Sequence, residues 1–204
     1  MTVLTKVFLL AGLLTIPTTP PLAANEFAPS SVQKGVLLVA SPSLNDPNFH
    51  HSVVLILEHG PGGTLGVILN RSTDVLLSEA LPDLNILKGT TFKLFAGGPV
   101  EPRRMLLLSR LKEPIADVRS VFDSVYVGGT SAVLERIITQ GKPSEAFRAF
   151  AGYAGWAPGQ LGFEMLQGSW AVLPPDSINI FDQDPGRLWP DSVSRLQAPR
   201  TISH

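Results

Sequence analysis

Short apolar runs, each closed by Gly, Pro, Asn or Asp, set the pattern of the first half of the chain. GVLLVA (35–40), VVLILE (53–58), LGVILN (65–70), TFKLFA (91–96) and MLLLS (105–109) are short and bounded by turn residues, which predicts buried strands. The unbroken apolar character of 35–40 predicts burial on both faces. HGPGGTLG (59–66) joins the second and third runs and predicts an antiparallel hairpin. SPSLNDPNF (41–49) is a loop, with Pro42 and Pro47 interrupting any ladder and Asp46 suited to an Asx turn. Asp74 is placed to cap a short helix over 75–81 with Glu79 inside it and Pro82 behind it. A further short strand is expected at 125–127.

The second half turns helical. SAVLERIITQ (131–140) is capped by Thr130 or Ser131, ends at Gly141, and would bury Leu134, Ile137 and Ile138. SEAFRAFAGYAG (144–155) reads as a second helix opened by Pro143, with Phe147 and Phe150 facing the core. A Gly/Pro loop then leads to a helix over 160–167, a strand WAVLP (170–174) and one last amphipathic helix within 181–196. Pro185 lies near the start of that helix, Leu188 and Val193 would pack, and Pro190 would weaken its middle.

The N-terminus has the pattern of a secretory signal. Lys6 precedes the apolar stretch VFLLAGLLTI (7–16), Pro17, Pro20 and Pro21 follow, and Leu22-Ala23-Ala24 predicts cleavage after Ala24. The expected organisation is therefore a signal peptide at 1–24, a flexible lead at 25–33, one domain at 34–196 and a frayed tail at 197–204. Export, to the periplasm, follows as the expected location. An uncleaved anchor, or a start placed too early on a cytoplasmic protein, is the alternative.

Composition narrows the chemistry. The 204 residues are 44% hydrophobic and 16% charged, which suits one globular core. Sixteen Lys and Arg against seventeen Asp and Glu leave no basic excess for a phosphate backbone. The chain has no cysteine, which excludes a thiol nucleophile, a disulfide and a cysteine metal site. Of the four histidines, His50 and His51 are adjacent and would face opposite sides of a strand, and zinc would require His59 with carboxylates brought in by the fold. No metal site and no cofactor is expected. There is no G-x-S-x-G elbow, and 59–66 lacks the Lys-Ser/Thr ending of a phosphate loop.

Polar residues at strand ends remain as site candidates. Asn70 and Arg71 close an apolar strand, and such an amide either meets a ligand or satisfies turn backbone. Gly97 and Gly98 either offer bare N–H groups to an anion or allow a sharp bend. Gln160 and Glu164 share a helix face beside Trp156, where they either receive a polar ligand or pin the helix to the GWAPG loop. Trp156, Trp170 and Trp189 suit packing better than base stacking.

The order of these motifs resembles the YqgE/AlgH family of bacterial proteins. The positions that carry the resemblance are GVLLVASP, then Asp46, Pro47 and Phe49 ahead of SVVLILEH, GVILNR (66–71), GGPV (97–100), GYAGWAPGQL (152–161), Glu164, and GSW followed by FD and LW, across 34–196. The resemblance implies an α+β fold with a mixed, partly barrel-like β-sheet surrounded by helices. It implies a regulatory association, with alginate synthesis, and supplies no catalytic residues. Relatives usually look cytoplasmic and carry an acid directly after the Gln-Leu pair, where this chain has Gly162.

The functional expectation is a non-enzymatic binding or regulatory module with an unidentified protein or small-molecule partner and no transmembrane span in the mature chain. Its contact surface is expected in a groove near Asn70, Gly97, Gly98 and Gln160. Two other readings remain. One is a hydrolase using a carboxylate from Asp46, Glu58 or Glu164. The other is a transcription-linked, nucleic-acid-associated protein with a basic face from Arg71, Arg103, Arg104 and Arg110, which export disfavours.

Overall fold

The computed structural model describes residues 28, 31–128, 131–140 and 146–197. Along the chain these form β1 (Leu37–Ala40), β2 (Val53–Gly60), β3 (Gly63–Ile68), β4 (Ser72–Leu76), α1 (Leu77–Ala80), a 3-10 turn (Asn85–Leu87), β5 (Lys93–Ala96), β6 (Val100–Arg110), β7 (Val118–Phe122), β8 (Val125–Gly128), α2 (Ser131–Gln140), β9 (Ala146–Trp156), α3 (Gln160–Leu166), β10 (Trp170–Leu173), α4 (Ser177–Asp182) and α5 (Pro185–Gln197). The signal-peptide and tail expectations, and the roles of Thr130, Gly141 and Pro143, lie outside the described residues.

The ten strands make one mixed sheet in the order β10-β1-β2-β3-β9-β6-β8-β7, with β5 wedged between β4 and β9. Every described pairing is antiparallel except β5 with β9. The sheet curls into a half-barrel, so the fold is α+β as the motif order implies. Its far ends meet through side chains. Lys34 Nζ donates to the Ser120 carbonyl at 3.2 Å, Arg119 pairs with Glu58, and Gly35 lies against Phe122.

Strand β9 organises the sheet. Its first half runs between β5 and β6, and its end, Ala154 to Trp156, pairs with β3. This segment is expected to be a helix from sequence, and the structure corrects that. Ala149, Ala151, Gly152 and Ala154 are small enough for three neighbouring strands to converge, and pairing on both edges outweighs the helical propensity of alanine. Beside it β5 ends at Gly97 and Gly98. A Cβ on either glycine would collide with the backbone of Gly152 or Tyr153. Gly97 N–H donates to Ala151 O at 2.8 Å and its carbonyl accepts from Ile68 N–H at 2.8 Å.

Two further expectations are corrected, and one strand is added. Asp74 lies in β4 and pairs with Lys93 at 3.3 Å, whereas the Glu79 carboxylate accepts the Leu76 N–H at 3.1 Å to open α1. Strand β7, at the end of the sheet order, has no expectation from sequence. The tail forms two helices, because Asp184 and Pro185 start α5 afresh after α4. Pro190 lies within α5, where Leu188 is buried and Val193 packs on the core.

The concave side holds one core drawn from both ends of the sheet, including Leu37, Leu55, Val125 and Phe150, and closed by Ile180 of α4 and Leu188 of α5. The convex side is covered twice: α3 adds Leu161 and Met165 over Trp156 and Trp170, while α1 and α2 cover Leu94 and Leu107. Among the described residues no helix is long and apolar enough to cross a membrane.

Candidate functional site

Most of the polar candidates converge on one loop, residues 41–52, which joins β1 to β2. On one side the third strand runs past its ladder into Leu69 and Asn70. Leu69 N–H donates to Val53 O at 2.8 Å, and Asn70 Oδ1 accepts the Val53 N–H at 2.9 Å. Asn70 Nδ2 donates to the His51 carbonyl at 2.9 Å. The Asn70 amide thus stands in for a strand, satisfying backbone that would otherwise be buried without a partner. Arg71 donates from Nη2 to the carbonyls of Pro47 and His50, each at 3.4 Å. Burial lowers the Arg71 pKa, and the nearby Asp46 carboxylate opposes that shift.

On the other side the loop inserts Phe49 between two indoles. Phe49 stacks on Trp156 at 5.6 Å between ring centroids and meets Trp170 edge-on at the same separation. Both indole N–H groups donate to Glu164 Oε2, at 3.0 Å from Trp156 and 2.8 Å from Trp170. Gln160 Nε2 donates to Glu164 Oε1 at 2.9 Å, and Gln160 Oε1 accepts the Ala157 N–H at 3.0 Å. One helix face therefore fixes the GWAPG segment, the start of β10 and the loop together.

Within the loop, Asp46 Oδ1 accepts the Asn48 N–H at 2.7 Å, the Asx turn expected of it. His50 and His51 lie in a turn, not on a strand. His51 adopts a left-handed backbone with φ 53°, and the two rings lie 3.5 Å apart. Trp189 of α5 continues the stack 3.9 Å from His51 and donates from Nε1 to Ala40 O at 2.9 Å. Flanked by two rings, His51 loses hydration, and this lowers its pKa, with the charge of His50 adding in the same direction.

Asn70 and Arg71 on one side, and Trp156, Gln160 and Glu164 on the other, are thus linked through residues 46–51. Gly97 lies beside the same strand end, its carbonyl accepting from Ile68 N–H while Ala96 N–H donates to Arg71 O at 2.9 Å, and with Gly98 it permits close backbone approach to β9. The carboxylates of the hydrolase reading are scattered: exposed Asp46 holds its turn, exposed Glu58 pairs with Arg119, and Glu164 receives the indoles. The basic residues are spread too. Arg104 lies over Tyr153 beside Glu101, whereas Arg110 pairs with Asp182 at 2.7 Å, roughly 20 Å further along the same strand. His59 is hydrogen-bonded to Thr64 at 2.7 Å. Among the described residues no three His, Asp or Glu side chains gather as a metal site.

Four features escape sequence reasoning. The Phe49 wedge and the His51–Trp189 stack join residues far apart in the chain. Arg148, a lone charge in the small-residue run of β9, is buried. Phe163 and Leu166, on the outer face of α3, are 63% and 76% exposed.

Comparison with known proteins agrees with this geometry. A family described as AlgH-like matches residues 37–200. A UPF0301 protein of Parabacteroides distasonis is 34% identical over 165 residues, covering 80% of this chain and 82% of that protein. A UPF0301 protein of Streptomyces avermitilis is 37% identical over 168 residues, covering 79% and 85%. The solution structure of AlgH from Pseudomonas aeruginosa superposes with a TM-score of 0.67 at 23% identity, over 93% of this chain and all of that one. The crystal structure of a Corynebacterium diphtheriae protein gives 0.68 at 27% identity, over 87% and 95%. The chain belongs to the AlgH-like, UPF0301 family, for which no specific biochemical activity is assigned.

Proposed function

We propose that this domain is a non-enzymatic binding or regulatory module whose contact surface is loop 41–52 together with the outer face of α3. One observation carries it. The strand-end polar groups are engaged in holding that loop from both sides, while its His50 and His51, and Phe163 and Leu166 of α3, are exposed. Rigid display of apolar and aromatic groups is what a recognition surface requires. A hydrolytic centre requires a carboxylate or imidazole of raised pKa in a cleft, and Asp46, Glu58 and Glu164 are apart from one another. Two outward apolar side chains on a helix suit a protein partner.

The same proposal places the mature chain outside the cytoplasm, starting at Asn25, on the strength of the apolar stretch 7–16 and the small residues before position 25. The N-terminal residue of the native protein and its cell fraction test this: a full-length cytoplasmic chain overturns export and leaves the surface to be tested separately.

For the surface, affinity enrichment from the native host compares the natural chain with a Phe163→Asp/Leu166→Asp double variant. The expected result is one protein retained by the natural chain and lost by the variant, with no turnover of ester, phosphoester or peptide substrates. A partner unaffected by the double variant, or turnover abolished by Glu164→Gln, overturns the proposal.

A further inference from the structure

Beyond loop 41–52, on the far side of the β3–β4 junction, lies a cavity of about 430 Å³. Phe92, Phe95, Phe147 and Phe181 line it together with Arg148 and Lys93. Phe92 is 39% exposed at the rim and its ring centroid lies 4.8 Å from that of Phe147. Arg148 comes from the central strand β9, is only 8% exposed, and holds its guanidinium 4.8 Å over the Phe95 ring.

The partners of Arg148 are unusual for a buried cation. Its Nη1 donates to Leu69 O at 3.2 Å, and its Nη2 donates to Phe181 O and Gln183 O at 3.3 and 3.1 Å. Carbonyls satisfy N–H groups without cancelling the charge, and a guanidinium has five such donors, more than these bonds use. Asp182 is the acid whose field reaches it, yet that carboxylate is held by Arg110 at 2.7 and 3.3 Å. Among the described residues no carboxylate makes ion-pair contact with Arg148. A desolvated, unpaired cation is costly, and burial accordingly draws its pKa down to about 10.

We infer that this cavity is a binding site for a small monocarboxylate with an aromatic or branched apolar body, whose carboxylate pairs with Arg148 while its body contacts Phe92 and Phe147. The volume falls within the usual range for small-molecule sites. Asp182 and Asp184 share the wall, so a dianion such as phosphate is disfavoured there. Leu69, which accepts from Arg148, directly precedes Asn70, so an occupied site touches the same junction that holds loop 41–52. The site stands independently of the proposed protein surface.

The experiment is calorimetric and NMR titration of the full chain with 3-phenylpropanoate and, in parallel, 3-phenylpropanamide. Saturable carboxylate binding, at least about tenfold tighter than the amide, is expected from a charge-assisted bond to a buried guanidinium. Phe92→Asp changes a residue at the exposed rim; it is expected to weaken the carboxylate about tenfold or more while the cooperative melting transition is retained. Arg148→Lys retains a charge and is a second check should Arg148→Gln fail to fold. No saturation below about 10 mM, equal binding of acid and amide, or indifference to Phe92→Asp overturns the site.

Discussion

The Phe49 ring stacks on the indole of Trp156, with 5.6 Å between centroids and 23° between planes, and this contact ties the β1–β2 loop to the end of the central strand. Glu164 holds that arrangement by accepting both indole N–H groups on one oxygen. Glu164→Ala leaves two buried indole donors without a partner and is expected to cost about 2–4 kcal/mol. Glu164→Gln keeps an acceptor oxygen and should cost less. Urea unfolding followed by tryptophan fluorescence measures both; equal stability of Glu164→Ala and the natural chain contradicts the assignment.

Asn70 contributes through a different bond type. Asn70→Ala orphans the N–H of Val53, a residue with no exposed surface, and frees the His51 carbonyl. A loss of about 1–3 kcal/mol is expected, with Asn70→Asp intermediate because it keeps the acceptor and loses the donor. Amide exchange at Val53 should accelerate in Asn70→Ala; exchange equal to the natural chain would refute the role.

Gly98 has φ 152° and no space for a side chain against Tyr153. Gly98→Ala must push β5 off β9 and is expected to destabilise by roughly 3 kcal/mol or prevent folding, as backbone displacement in a core does. Gly60→Ala, where the added carbon meets nothing within 4 Å, is the control and should melt within a few degrees of the natural chain. Similar melting of the two variants contradicts the close approach.

The histidine stack predicts a pH effect of definite sign. His51 has its pKa lowered, so over the window between that value and the ordinary 6.5 the unfolded chain binds a proton that the folded chain does not. Stability contributed by the neutral ring is therefore present above about pH 6.5 and declines as pH falls through the window. His50→Ala removes the second cause and should raise the His51 pKa. NMR titration of the His51 ring reads this directly, and a His51 pKa above 6.5 in the natural chain would be the contrary result.

Much of the sheet is legible because β1, β2, β3, β5 and β6 contain continuous apolar runs between turn residues, and hairpin chemistry pairs β2 with β3. Strand β9 is not legible. Phe147 and Phe150 are spaced like a helix face, and its alanines favour helix until β3, β5 and β6 converge on it. Within the site, Gln160 and Glu164 are recognisable as one helix face, yet the groups they hold are distant in sequence. Phe49, Trp170 and Trp189 reach their partners only after the sheet has curled. Arg148 is hidden for the same reason: its acceptors Leu69, Phe181 and Gln183 come from two separate parts of the chain.

The central claim, that α3 and loop 41–52 present a protein-binding surface, is tested most directly by site-specific photocrosslinking in the native host. A crosslinker replacing Leu166 is expected to trap one discrete protein, whereas a crosslinker at Val75, an exposed position on β4, is expected to trap none. The Leu166 product should fall when Glu164→Ala loosens the clamp. No discrete product from position 166, or the same product from both positions, would contradict the account.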